Sequence, residues 1–126
     1  MAENNLTRLT KIAADSVGAA QRQLPPDLRA LAKQVAVHYE RAPAAEVIAQ
    51  GHPPDILGLF AGPAHGTELS QDNPLPPQIL LYLESLWEFS EQDEAIFREE
   101  VQVTYLHELG HYFGWDEDQL SARGLD

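Results

Sequence analysis

The sequence TYLHELGHYFGWDE, residues 104–117, contains two histidines four positions apart. On a helix, side chains at this spacing lie on one face with Cβ atoms about 5–6 Å apart, so His107 and His111 can bind a single metal ion. Glu108 is one step round the helix, too far round to be an easy third ligand but well placed beside a water molecule at the metal. The stretch therefore predicts a helical metal site with Glu108 as its general base.

A third ligand is expected, because a catalytic zinc usually takes three protein ligands and keeps one position open. Gly114 can adopt the positive φ that ends a helix and would turn the chain back toward the histidines. Glu117 follows three residues later and is the predicted third ligand, with Asp116 or Asp118 as alternatives. The sequence thus predicts one zinc ion per chain. The alternative is a helix whose histidines pair with Glu108 or stay buried and neutral.

The pattern His-Glu-x-x-His-x-x-Gly-x-x-Glu over residues 107–117 resembles that of small bacterial zincin-like metallopeptidases. The upstream segments PPDILGLF (53–60) and PPQILLY (76–82) are similar to that family too, so the resemblance covers roughly residues 30–120. It implies a compact, metzincin-like half-domain and a peptide or protein substrate. The larger metzincins have a histidine at the position of Glu117 and a methionine turn beneath the metal, whereas the only methionine here is Met1.

Two functions that use a metal are compatible with this motif, and a third possibility is an acidic binding domain whose motif no longer holds metal. The first is zinc-dependent hydrolysis of peptide bonds, in which Glu108 takes a proton from water and passes it to the leaving amine. The second is a metal-binding, metal-stabilised domain with little or no catalytic activity that acts through protein interaction, which the departures from the larger metzincins favour. The candidate hydrogen-bond donors to the reacting carbonyl are three tyrosines, each of which can equally belong to the core or the rim: Tyr82, Tyr105 and Tyr112.

The length of 126 residues suits one domain with a single modest core, which we take as 1–126 with flexible ends at 1–5 and 124–126. Cysteine is absent, so the ligands must be histidine or carboxylate, and a reducing cytoplasm is favoured. The segment MAENN at 1–5 lacks the basic and apolar parts of a signal peptide, and the apolar runs fall far short of a membrane span. We therefore expect a cytoplasmic protein, with a monomer favoured.

The net charge of −12 argues against nucleic acid or an anionic membrane surface as a partner, since both are bound through clusters of lysine and arginine. A cationic peptide is compatible with it. The alternative interpretation is that a surplus of acidic residues only keeps a small protein soluble.

Apolar periodicity and the positions of proline predict the secondary structure. Helices are expected at about 6–23, at 28–33 with Asp27 as cap, at 44–50, from a capping box at 90–93 to Phe113, and at 116–123 with Asp116 as cap. Strands are expected at 34–40, 55–62 and 78–83, with 84–89 continuing or capping the last strand and a loop at 63–77. The fold class is therefore α+β, a single compact zincin-like domain in which a small mixed sheet packs against a central active-site helix, plus an N-terminal helix.

Three residues have two interpretations each. Gly58, in the middle of an apolar strand, either lets a neighbouring backbone approach closely or marks a bulge. Gly110 weakens a helix interior, either so that a strand or substrate can pass close to the metal or so that the helix can pack closely against the sheet. His65 is either an ordinary loop residue or an auxiliary contact to substrate or metal.

Overall fold

The computed structural model describes residues 3–65 and 76–122, apart from the side chains of Glu117 and Leu120. The predicted flexible end at 124–126 and most of the predicted loop at 63–77 lie outside these residues. In chain order the elements are α1 (Glu3–Arg22), α2 (Pro26–Ala32), β1 (Ala36–Glu40), α3 (Ala45–Ala49), β2 (Gly58–Ala61), β3 (Gln78–Tyr82), α4 (Leu83–Phe89), α5 (Glu94–Tyr112) and α6 (Glu117–Ala122). Across the described ranges, no helix combines the length and apolarity that crossing a bilayer requires.

The three strands form a mixed sheet in the order β1-β3-β2. β1 runs parallel to β3, with Ala36 opposite Gln78, and β2 runs antiparallel to β3, with Gly58 opposite Leu81. The central strand is the one with the longest apolar run, and its Ile79 is completely buried. The predicted α+β class with a small mixed sheet is therefore confirmed.

Helix α5 is the centre of the core, because it contacts α1, α4, β2 and β3. Its buried face presents five large side chains: Phe97, Val101, Tyr105, Leu109 and Tyr112. α1 covers this face with a stripe at helical spacing: Leu9, Ile12, Ala13, Val17 and Ala20. Where the helices touch, the Gln21 amide donates to the Tyr105 hydroxyl at 3.0 Å, and burial raises the pKa of Tyr105.

The segment from Leu83 to Phe89 is a separate helix and does not continue the preceding strand. Leu83 and Leu86 are three residues apart and both fully buried. Residues at this spacing lie on one face of a helix, whereas in a strand they would lie on opposite faces. The predicted capping residue for α5 was also wrong. Ser90 is buried and donates back to the Leu86 carbonyl, while Asp93 caps α5 by accepting from the Ile96 N–H at 3.0 Å.

Gly58 brings the edge strand into direct contact with the central helix. A Cβ at this position would stand 2.7 Å from Thr104 Cγ2 and 3.2 Å from the Leu80 carbonyl oxygen. Close approach is thus the reason for this glycine, and the element that approaches is α5. β2 and the motif of α5 are therefore packed at a distance that only a residue without a side chain allows.

Replacement of Gly58 by alanine should separate β2 from α5 and destabilise the protein by about 1–3 kcal/mol, the usual range for overpacking. Gly18→Ala is the matched control, because its Cβ would meet only the flexible end of Arg22 at 3.4 Å. In α1 that change should stabilise by about 0.5–1 kcal/mol. Urea unfolding measures both effects. Thr104→Ser removes the clashing methyl and should rescue part of the loss, and wild-type stability of Gly58→Ala would contradict the packing argument.

Candidate metal centre

Helix α5 brings the two histidines of the motif together on its surface. The Nε2 atoms of His107 and His111 are 3.3 Å apart, and the ring planes are nearly perpendicular at 81°. Both side chains are partly buried. One nitrogen from each of these rings and one oxygen of Glu108 all lie within 4.8 Å of one another. We call these three residues the metal-ligand group.

The separation of the two nitrogens fits a shared metal ion. Two ligands at about 2.0–2.1 Å from a tetrahedral zinc stand about 3.3 Å apart, which matches the observed distance. A direct N–H···N hydrogen bond between the rings is the alternative, and at 3.3 Å it would be a long one. The donor set is imidazole nitrogen with carboxylate nearby, which suits zinc.

The carboxylate of Glu108 is held by the edge strand. The Phe60 N–H donates to Glu108 Oε1 at 3.0 Å, across a separation of 48 residues. In the described part of the sheet β2 pairs only with β3, so this N–H points away from the sheet and toward α5. The sequence analysis missed this contact, because a backbone donor has no side-chain signature. The signal that pointed toward it was Gly58, two residues earlier on the same edge.

Just after α5 ends, Gly114 has the positive φ that was predicted for this residue. Gly114 has φ +81°, its N–H donates to the His111 carbonyl at 3.0 Å, and the Trp115 N–H donates to the Gly110 carbonyl at 3.0 Å. This pair of bonds is the Schellman motif, which needs a left-handed residue at the position of Gly114. Gly110 itself is buried.

Asp116 caps the helix that follows, as predicted. Its Oδ1 accepts from the Gln119 N–H at 2.8 Å, and its own N–H donates to Gln119 Oε1 at 2.9 Å. Glu117 is the first residue of α6, but its side chain lies outside the described part of the structure, so its role as third ligand stays a prediction. Neither alternative, Asp116 or Asp118, belongs to the close group of the two histidines and Glu108.

The remaining candidates of the sequence analysis lie around the site or in the core. The His65 N–H donates to the Tyr112 carbonyl at 2.6 Å, and the Tyr112 hydroxyl lies 3.4 Å from His65 Nδ1. His65 thus contacts the last turn of α5, and it is not part of the metal-ligand group. Tyr105 is a fully buried core residue. The Tyr82 hydroxyl is buried with no partner among the described residues, and burial together with Glu40 raises the pKa of Tyr82.

A family model described as zincin-like metallopeptidase matches residues 32–125, which is most of the chain. The chain belongs to this family. The resemblance noted from the motif is thereby confirmed, and family membership implies a metal ion at the His-Glu-His group of α5. A comparison with curated proteins found no match.

Beside the metal-ligand group, the zincin-like domain has an open cleft of about 360 Å³. The segment that leads into β2 forms one wall, and α5 forms the other, with His107 and Glu108 at the motif end. Its lining residues are Ile56, Leu57, Gly58, Glu100, Val103, Thr104, His107 and Glu108. The two walls of the cleft are therefore the two elements that Gly58 and Glu108 hold together.

Replacing the Phe60 amide by an ester, through incorporation of phenyllactic acid, removes the N–H that holds Glu108 and leaves the phenyl ring in place. A hydrogen bond to a charged group contributes about 1.5 kcal/mol or more to stability. We therefore expect a coupling energy of this size between the ester and Glu108→Ala in a double-mutant cycle. Urea unfolding of the four proteins gives the value. Additive effects, within about 0.5 kcal/mol, would show that the contact does not stabilise the fold.

Proposed function

We propose that this protein is a zinc-dependent peptidase that hydrolyses peptide bonds. The metal is held by His107, His111 and Glu117, and Glu108 is the general base. The observation that carries the proposal is the 3.3 Å separation of the two Nε2 atoms next to a carboxylate, in a member of the zincin-like metallopeptidase family.

A zinc ion bound by these residues would polarise the scissile carbonyl and lower the pKa of a water molecule toward about 7. The residues of the chain supply the rest. His107 and His111 each use Nε2 and must be neutral to do so, while a glutamate as third ligand would leave one position of the metal open.

Glu108 suits the role of base because a hydrogen bond orients its carboxylate and because it is not one of the assigned metal ligands. The Phe60 N–H fixes Oε1 at 3.0 Å, which limits rotation of the carboxylate. A carboxylate has a second oxygen with its own acceptor capacity. We assign that oxygen to proton transfer: it accepts a proton from the attacking water and later gives a proton to the leaving amine.

The second function, a metal-stabilised interaction domain, rests on the positions of the tyrosines. Tyr105 bonds to Gln21 within the core, and Tyr82 is 1% exposed, so neither reaches the cleft. Among the residues that line the cleft there is no tyrosine to support a reacting carbonyl. Peptidase activity therefore depends on the metal and Glu108 alone among the groups considered, and the experiments below decide between the two functions.

Zinc binding is tested with protein purified without a histidine tag. The combined change His107→Ala and His111→Ala should abolish stoichiometric zinc, measured by elemental analysis and by competition with a chromogenic chelator. His38→Ala with His52→Ala is the matched control, because both residues lie outside the ligand group. One retained equivalent of zinc in the first double variant would refute the assignment.

The third ligand is tested in the same competition assay. Loss of a residue that only hydrogen-bonds to a metal ligand lowers metal affinity by about 10–100-fold. Glu117→Ala removes a proposed direct ligand and should lower zinc affinity by more than this. Asp116→Ala removes a neighbouring carboxylate that caps α6, and it should leave zinc affinity unchanged. The reverse result would move the third ligand to Asp116.

Hydrolysis is tested with Glu108→Gln. Glutamine keeps an oxygen that can accept from the Phe60 N–H, so zinc content and thermal stability should stay close to wild type. Cleavage of a peptide library should fall by about 10²–10⁴-fold, the usual contribution of a positioned acid–base group. Glu99→Gln, which makes the same charge change outside the cleft lining, should leave cleavage intact. Zinc-loaded wild-type protein that cleaves nothing in the library would favour the interaction domain.

A further inference from the structure

The cleft beside the metal-ligand group extends along α5 away from the histidines and ends near a second carboxylate. Glu100 precedes His107 by seven residues, or about two helical turns, so the two side chains share one face at a distance of about 10.5 Å along the helix axis. Both line the cleft, with Thr104 one turn before His107 between them. The cleft therefore joins the proposed reaction site to an acidic group.

The walls between these two ends are mainly apolar. Ile56 and Leu57 contribute the wall before β2, and Val103 contributes the wall on α5. Val103 is one of the few large apolar side chains that stay exposed among the described residues, with 45% of its surface accessible. An exposed valine on a cleft wall is an apolar contact surface that the fold itself does not cover.

The Glu100 carboxylate forms no ion pair with a basic side chain in the described part of the chain. Arg98, two residues earlier, pairs with Asp15 and Glu94, and Arg8 also pairs with Glu94. Glu100 makes no ion pair with a described residue and is partly buried. Its carboxylate is thus available to a positive group that enters the cleft.

An apolar passage that ends at a carboxylate matches the side chains of lysine and arginine, which have an apolar stem and a charged head. The volume of about 360 Å³ lies near the lower end of the range for ligand sites, about 300–1,000 Å³, so it suits one long side chain. The net charge of −12 also favours the approach of a basic peptide.

We infer that this cleft binds a lysine or arginine side chain of the substrate next to the bond that is cleaved, with Glu100 as the residue that selects the positive charge. This inference rests on the proposed peptidase function. It assigns the substrate class, peptides with a basic residue at one fixed position beside the cleavage site, and it gives Glu100 a role in specificity that is separate from the chemistry of Glu108.

Binding is tested first, because it does not require cleavage. Nα-acetyl-lysine methylamide and the norleucine analogue, which has an uncharged stem of similar length, are titrated into the full chain while the methyl signals of Val103 and Thr104 are followed by NMR. The lysine compound should bind about fivefold more tightly, the size expected for one partly exposed ion pair. Glu100→Gln should remove this difference, and the matched control Glu99→Gln should retain it. Equal affinities, or no shift at Val103 with either compound, would overturn the inference.

Cleavage is tested second, by digestion of a peptide library with the zinc-loaded protein and identification of the new termini. Wild-type cleavage sites should be enriched in lysine or arginine at one position. Glu100→Lys should remove that enrichment and favour glutamate there, whereas Glu99→Lys should leave it unchanged. Cleavage without a basic preference would refute the inference and leave the peptidase function standing. Absence of cleavage would refute the peptidase function, and the binding experiment would then decide alone whether the cleft selects a basic side chain.

Discussion

Strand β2 is held on both of its long edges, by β3 on one side and by the carboxylate of Glu108 on the other, through the Phe60 N–H. The second contact exists only because Gly58 lets the strand lie against Thr104 of α5. A side chain at that position would push the strand outward, and a hydrogen bond weakens steeply with such a displacement. The orientation of the candidate base, the shape of the cleft and the closure of the sheet on the helix thus depend on one close backbone approach.

The hydrogen bond between the Phe60 N–H and Glu108 affects both the carboxylate and the backbone of the strand. Partial burial disfavours the charge on the carboxylate, while a hydrogen bond from a backbone amide favours it. The N–H of an edge strand would otherwise require water or another partner, since buried backbone donors are almost always paired. By pairing these two groups, the fold supplies an acceptor for the Phe60 N–H on the outer edge of β2 and a donor for Glu108 Oε1 beside the imidazoles.

The parts of the structure that the sequence predicts are those that depend on local pattern. The proximity of His107 and His111 was predicted because residues four apart lie on the same face of a helix. The conformation of Gly114 was predicted because a helix that ends in this way needs a left-handed residue, and the bonds at Gly114 and Trp115 show that ending. Residues 83–89 were mispredicted because a short apolar run that follows a strand has no cap signal, and only the burial of Leu83 and Leu86 on one face shows the helical period. The sequence left Gly58 open between a close approach and a bulge and gave no partner for Glu108, because both depend on which element lies opposite in three dimensions.

The pairing of α1 with α5 has a consequence for how the chain is made. The Gln102 amide donates to the Ser16 carbonyl at 3.2 Å, although the two residues are 86 positions apart. At about 5–20 residues per second, a ribosome needs about 4–17 s to synthesise the intervening chain. Throughout that interval the apolar stripe of α1 has been made but the helix that will cover it has not. Helix α5 is synthesised last among the core elements and makes the most extensive contact with α1, so the N-terminal helix can bury its core face in full only after α5 has been made.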